Sequence, residues 1–129
     1  MLLAGRLGQC RPCVVVPVPL SRRRESYRGF NQAQVIAGAI AQVLGWSMRI
    51  DLIERVRDTP AQAQRSTPEE RGVNVAGAFK CTLSGKGMMS ERILIVDDVW
   101  TTGSTMNAVA QVLRINGAKE IFGAVIAKG

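Results

Sequence analysis

Residues 93–105 read ILIVDDVWTTGST. Ile93–Val96 is an all-aliphatic run of the kind that forms a central strand covered on both faces of a parallel sheet. It delivers two consecutive carboxylates, Asp97 and Asp98, to a loop rich in hydroxyls and holding one glycine. Apolar residues then recur at helical spacing at Met106, Val109, Ala110, Val112 and Leu113, before Asn116 and Gly117 close the helix. The first-turn amides of such a helix have no internal partners. Together with the hydroxyls of Thr101, Thr102, Ser104 and Thr105 they can donate to a phosphate, while Gly103 lets the backbone approach closely and the helix dipole adds favourable potential. At neutral pH Asp97 and Asp98 only accept, so they suit a pair of hydroxyls rather than the phosphate itself. A vicinal diol close to a phosphate is a ribose 5-phosphate. Two aspartates ending a strand, or a hydroxyl run capping a helix, would each be unremarkable alone; in succession after one aliphatic strand they favour a ligand site.

Outward from this segment, Val14–Val18 is a β-branched run stopped by Pro17 and Pro19 and reads as a first strand. A polar stretch leads to Ala33, Ile36, Ala37, Ile40, Ala41 and Leu44 at helical spacing, with Asn31 as N-cap and Gly45 after the last turn. Met48–Ile53 alternates as a second strand, and Ala78–Leu83 as a short one. Between them more than twenty residues carry few large apolar side chains, which marks a functional or disordered loop. That loop holds a capping box, Thr67-Pro68-Glu69-Glu70. Glu120–Ala127 is the last strand. Strands alternating with helices give an α/β fold whose ligands sit beyond the carboxyl ends of the strands. Residues 1–13 form an N-terminal segment and 14–129 one domain.

Composition narrows the partners. A 47% hydrophobic and 21% charged chain is neither disordered nor fibrous. The formal charge of +7 favours anions, and many arginines cluster at Arg22, Arg23, Arg24, Arg28 and at Arg55, Arg57, Arg65, Arg71, as expected of local anion sites. Any one of Arg23, Arg24 and Arg28 also reads as an ordinary solvated arginine. Aromatic residues are 5%, too few for the stacking platforms of single-strand binders, so nucleic acid is a partner the composition allows without favouring. No apolar run has membrane-spanning length. Three cysteines without a secretory signal point to a reducing cytoplasm. Cys10 and Cys13 have the spacing of half a zinc site, but with no histidine and only Cys81 elsewhere the ligand set is incomplete.

ILIVDDVWTTGST closely resembles the signature with which type I phosphoribosyltransferases bind 5-phosphoribosyl-1-pyrophosphate (PRPP). With VPVPLSRRRESYRGFNQAQVIA (16–37) and RVRDTPAQAQRSTPEERGVNVAGAF (55–79), in that order, the chain from Val14 to Lys128 resembles the ComF/GntX-type family of competence- and gluconate-utilisation-associated proteins. The resemblance implies a three-layer α/β fold with a mostly parallel sheet and one antiparallel strand, near Ala78–Leu83, and it sets Val14–Val18 beside Ile93–Val96. In the family pattern Arg22, Arg23, Arg24 and Arg28 face pyrophosphate. Asp97 and Asp98 are the catalytic pair on the ribose hydroxyls, and Thr101, Thr102, Gly103, Ser104 and Thr105 hold the 5-phosphate. Arg55, Thr59, Gln62, Arg71 and Asn74 belong to a flexible lid. Mg2+ is held mainly by the ligand, with Asp97 and Asp98 in reach. The implied reaction displaces pyrophosphate from C1 of PRPP by a nitrogen acceptor that no stretch of the chain specifies. A non-catalytic PRPP or nucleotide sensor and an accessory role in DNA uptake are the alternatives. Two departures stand out: family members usually begin with a zinc ribbon, and this sequence starts about a dozen residues before its first strand; Trp100 replaces a commoner aliphatic residue and is expected to pack under the loop.

Overall fold

Aliphatic strands with side chains alternating to both faces need a covering layer on each side, and the chain supplies two. The computed structural model describes residues 11–20, 29–56, 77–82, 92–100 and 102–128, the side chains of Val99, Trp100 and Lys128 excepted. Its elements are β1 (Val14–Pro17), α1 (Gln32–Leu44), β2 (Ile53–Arg55), β3 (Phe79–Cys81), β4 (Arg92–Trp100), α2 (Ser104–Ile115) and β5 (Glu120–Lys128). β4 is central and parallel to both neighbours in the order β1-β4-β5, with Val14 opposite Ile93 and Ile93 opposite Ile121. β2 and β3 form a separate antiparallel pair. The three-layer, mostly parallel fold implied by the resemblance is the fold observed, including the antiparallel pair and the β1–β4 adjacency.

Alternation along the strands divides the core. Val16, Ile93, Ile95, Ile121 and Val125 pack with Met106, Val109, Val112 and Leu113 of α2 and with Leu52, Ile53 and Phe79 of the antiparallel pair. Val15, Leu94, Val96 and Ala124 pack on the other face against Ala37 and Ala41 of α1, joined by Cys13 and by the edges of Ile36, Ile40 and Trp46. The alanines let α1 lie close to the sheet. Its ends match expectation: the Asn31 side chain accepts from the Ala33 amide, and Gly45 takes the left-handed conformation (φ 70°) that suits glycine.

Two sequence expectations need correction. Met48–Ile53 is not one strand: Met48 bridges Val15 of β1, with flanking hydrogen bonds of 2.8 and 2.9 Å, and Ile53 begins a different ladder with Cys81. Between them the Arg49–Asp51 ion pair (2.7 Å) and the exposed Ile50 mark the place where the chain leaves one sheet for the other. The strand at Ala78–Leu83 is accordingly the three residues facing β2. The second correction concerns β4, which continues past Val96 through Asp97 and Asp98 to Trp100 because β5 is equally long and pairs with it as far as Lys128. The aspartates are strand residues rather than loop residues. The capping box at Thr67–Glu70 lies outside the described residues.

Candidate functional site

Asp97 and Asp98 sit where the β4–β5 ladder changes character. Pairing is regular from Arg92 to Asp97, skips Asp98 and resumes at Val99. The Asp98 amide instead donates to Asp97 Oδ1 at 2.8 Å. Both carboxylates are partly buried, and alternation puts Asp97 on the face of Ile93 and Ile95, the side covered by α2 and the antiparallel pair. Burial pushes the Asp97 carboxyl up, to about 6. The Asp98 amide draws it down, hydrogen bonding and repulsion from the Asp98 carboxyl add to the rise, and the positive charge of Arg55 opposes it.

That last influence identifies a neighbour. Arg55 ends β2 and stands opposite Phe79 in the ladder, with its guanidinium 4.8 Å from the centre of the Phe79 ring, a cation–π contact. Phe79 is fully buried and packs in the α2 side of the core. A residue expected in the lid is therefore tied to the antiparallel pair and acts electrostatically on Asp97. The role of Phe79 as its platform was not read from the sequence, where an aromatic residue in a short strand signals only core.

The turn from β4 into α2 supplies the donors. Gly103 is buried in the left-handed conformation (φ 82°, ψ 0°) and, having no side chain, supplies no cap from the N-cap position of α2. Thr102 Oγ1 donates to Ser104 Oγ at 3.0 Å and accepts from the Ser104 amide at 3.3 Å. Thr102 and Ser104 are exposed and Thr105 is partly so. The first turn of α2 carries no acidic residue, so its orphan amides and positive dipole end face the loop uncompensated by a carboxylate of the helix itself. Thr101 and the side chain of Trp100 lie outside the described residues.

The chain leaves β1 beside this edge, since the Val18 amide donates to Val96 O at 2.8 Å. Asn31 Nδ2 donates to Val18 O at 3.1 Å, across 13 residues. The bond ties Val18 to Asn31, the start of α1, beside the Val96 end of the aliphatic run of β4. In the sequence Asn31 reads only as a helix cap. Arg22, Arg23, Arg24 and Arg28 lie outside the described residues, as do Thr59, Gln62, Arg71 and Asn74. Cys13 and Cys81 are both buried and not disulfide-bonded, with Cys13 in the α1 side of the core, and Cys10 is outside the described residues. No helix among them is long and apolar enough to cross a membrane.

The arrangement agrees with comparison to known proteins. The family profile of the phosphoribosyl transferase domain matches residues 31–129. Competence protein F of Haemophilus influenzae is 34% identical over 110 residues, 85% of this chain and 48% of that protein. The DNA utilization protein YhgH of Salmonella typhi is 40% identical over 122 residues, 94% of this chain and 52% of that protein. Competence protein ComFC of Streptococcus pneumoniae is 31% identical over 119 residues, 92% and 50%. The chain thus spans about half the length of these relatives. A purine phosphoribosyltransferase from Pyrococcus horikoshii superposes with a TM-score of 0.58 over 97% of this chain and 66% of its own; at 22% identity the likeness is one of fold. The chain belongs to the phosphoribosyl transferase domain family, among its ComF-type, competence-associated members.

Proposed function

We propose that the chain binds a ribose 5-phosphate-containing ligand of the PRPP class at Asp97–Thr105, and that this binding serves an accessory role in the handling of DNA. The observation that carries the first part is the pairing of a helix start left open at Gly103 with the half-buried Asp97 at the end of the preceding strand. The 5-phosphate accepts from the amides and hydroxyls of residues 101–105, and the two aspartates accept from the ribose hydroxyls. Arg55, with Arg22, Arg23, Arg24 and Arg28, offsets the diphosphate charge. The second part rests on the names of the relatives, competence and DNA utilization proteins, and on the charge of +7.

Magnesium fits this reading in one form. Among the described residues no group of three or more His, Cys, Asp or Glu side chains is placed to hold a metal ion. A hard cation that keeps several waters and arrives on the diphosphate needs only the carboxylates at hand, Asp97 and Asp98. It would neutralise charge on the diphosphate.

Phosphoribosyl transfer is the second reading, favoured by the elevated Asp97. In it the C1–O bond to pyrophosphate breaks, a nitrogen of the acceptor bonds to C1, and the proton lost by that nitrogen passes to the Asp97 carboxylate or to water. A carboxyl group that titrates near 6 can take and release such a proton near neutral pH. Calorimetric titration with magnesium and PRPP, alongside pyrophosphate release measured with and without nucleobases, tests both. Binding without release supports the accessory reading and acceptor-dependent release the transferase. Absence of PRPP and ribose 5-phosphate binding rejects both.

A further inference from the structure

β5 is the outer strand of the parallel sheet, nine residues long, and among the described residues no strand pairs with its free side. A free edge of this length is normally blunted by a proline, a bulge or an inward-pointing charge. β5, EIFGAVIAK, has no proline, stays in constant register with β4, and places its charged residues only at its ends. On the face covered by α1, Ala124 is buried, while Phe122 and Ile126 on either side of it are exposed, Ile126 by 62%.

We propose that this edge pairs with β5 of a second copy of the chain, in an antiparallel ladder about a two-fold axis at Ala124. The order of residues argues for a second copy over an unrelated strand. Pairing centred on Ala124 uses all nine positions and sets Phe122 of one copy opposite Ile126 of the other, twice, so that four exposed apolar side chains cover one another on one face. The same register brings Glu120, whose carboxylate is paired with Arg92 of its own β4 at 2.6 Å, level with the basic position 128 at both ends. A slip of two residues loses both end matches, and a slip of one would turn Phe122 and Ile126 to opposite faces. The contact is isologous and closes at two chains, joining two three-stranded sheets into one of six. The pairing uses the outer side of β5, whereas Asp97 lies on β4 along its inner side, so the ladder uses none of the residues assigned to ligand.

Sedimentation velocity over a micromolar concentration series tests this. A monomer–dimer equilibrium is expected for the unaltered chain, strengthened by added salt because each copy carries +7. Ile126→Lys, which replaces the apolar partner of Phe122 by a charge at both symmetric positions of the ladder, is expected to leave monomer. Val35→Lys, at an exposed position of α1, is expected to leave the equilibrium unchanged. Hydrogen exchange of the unaltered chain guards against a misfolded variant: β5 amides should become more protected as concentration rises. A monomer at every concentration, a dimer indifferent to Ile126→Lys, or β5 exchange independent of concentration overturns the proposal.

Discussion

The two helices of this domain begin alike and end up with opposite uses. Each follows a strand of the same parallel sheet, and each has first-turn amides without intrahelical partners. At α1 the Asn31 side chain fills the gap: it accepts from Ala33, donates to Val18 O, and is itself buried. At α2 the corresponding position is Gly103, which contributes no cap, and the preceding strand ends in two carboxylates. A closed helix start holds the chain together, whereas an open one next to acceptors is available to a ligand. What separates them is the cap position and the two carboxylates that precede it, which makes the comparison testable by substitution at each.

The largest effect is expected at the open end. Asp97→Asn or Asp98→Asn removes a charge-assisted hydrogen bond to the ligand, for which about 1.5 to 3 kcal/mol is typical, or roughly ten- to a hundredfold in affinity for PRPP or ribose 5-phosphate. Calorimetry on the folded variants showing unchanged affinity would end the assignment. Asp97 carries a second consequence in stability. Its carboxyl has an ordinary value of 3.8 and is raised to about 6 in the fold, so between those values the folded state binds more proton than the unfolded one and stability falls as pH rises. The loss is complete above about pH 6. Asp97→Asn should remove that slope and raise the melting temperature at neutral pH while it weakens binding, and ligand affinity of the unaltered chain should drop as pH falls through 6. Thermal melts at pH 4 and pH 7 on both proteins decide it.

At the closed end the pattern reverses. Asn31→Ala strands the Ala33 amide and the Val18 carbonyl, and loss of such a cap costs about 0.5 to 2 kcal/mol of stability. Denaturant titration should show that loss, together with faster exchange of the α1 first-turn amides. Affinity for ribose 5-phosphate should hold, since Asn31 touches no group assigned to that ligand, whereas affinity for PRPP should fall because the Val18–Asn31 tie, which brackets Arg22 to Arg28 in the sequence, is lost. Equal losses for both ligands would place Asn31 in the phosphate site itself.

Much of this contrast is written in the sequence, and the part that is not has a physical reason. Asn31 and Gly45 are legible because caps are local: side chain and partner lie within a few residues. Ile93–Val96 is legible because a strand buried on both faces leaves no room for polar residues. The end of β4 is not, since two carboxylates look like loop until β5 is known to run alongside them. Met48–Ile53 misleads for the converse reason, an alternating pattern that serves two different ladders in turn. The contacts of Arg55 with Phe79 and of Asn31 with Val18 span 24 and 13 residues, and neither local spacing nor periodicity encodes such distances.

A smaller effect is expected at Gly103, where an added Cβ meets the penalty for left-handed backbone, about 1 to 2 kcal/mol. Gly103→Ala should lower stability by that order and weaken phosphate binding with it, because relief of the strain moves the amides of the first turn. Gly103→Asn, which tolerates the conformation better, should recover part of the stability. If Gly103→Ala is neutral in both, the turn is not held by its conformation.

The finest comparison uses two further glycines, one within α1 and one on β5 facing α2. Gly38 lies in the middle of α1, where an added Cβ meets only Met48, with Cε at 3.9 Å and Sδ at 4.0 Å, ordinary van der Waals distances. Replacing a mid-helix glycine by alanine under those conditions gains about 0.5 to 1 kcal/mol, chiefly by restricting the unfolded chain. Gly123 on β5 faces α2, and there the added Cβ meets Met106, with Sδ at 3.3 Å and Cε at 3.4 Å. Met106 is buried in the first turn of α2, so it has to give by a few tenths of an ångström and can pass the displacement to the open helix start. Gly38→Ala should therefore raise the melting temperature and leave ligand affinity alone, while Gly123→Ala gains less stability or none and disturbs affinity. Equal gains from both substitutions would mean that Met106 yields freely and that the α2 side of the core is no tighter than the α1 side. Thermal melts paired with calorimetry on the two single variants separate these outcomes.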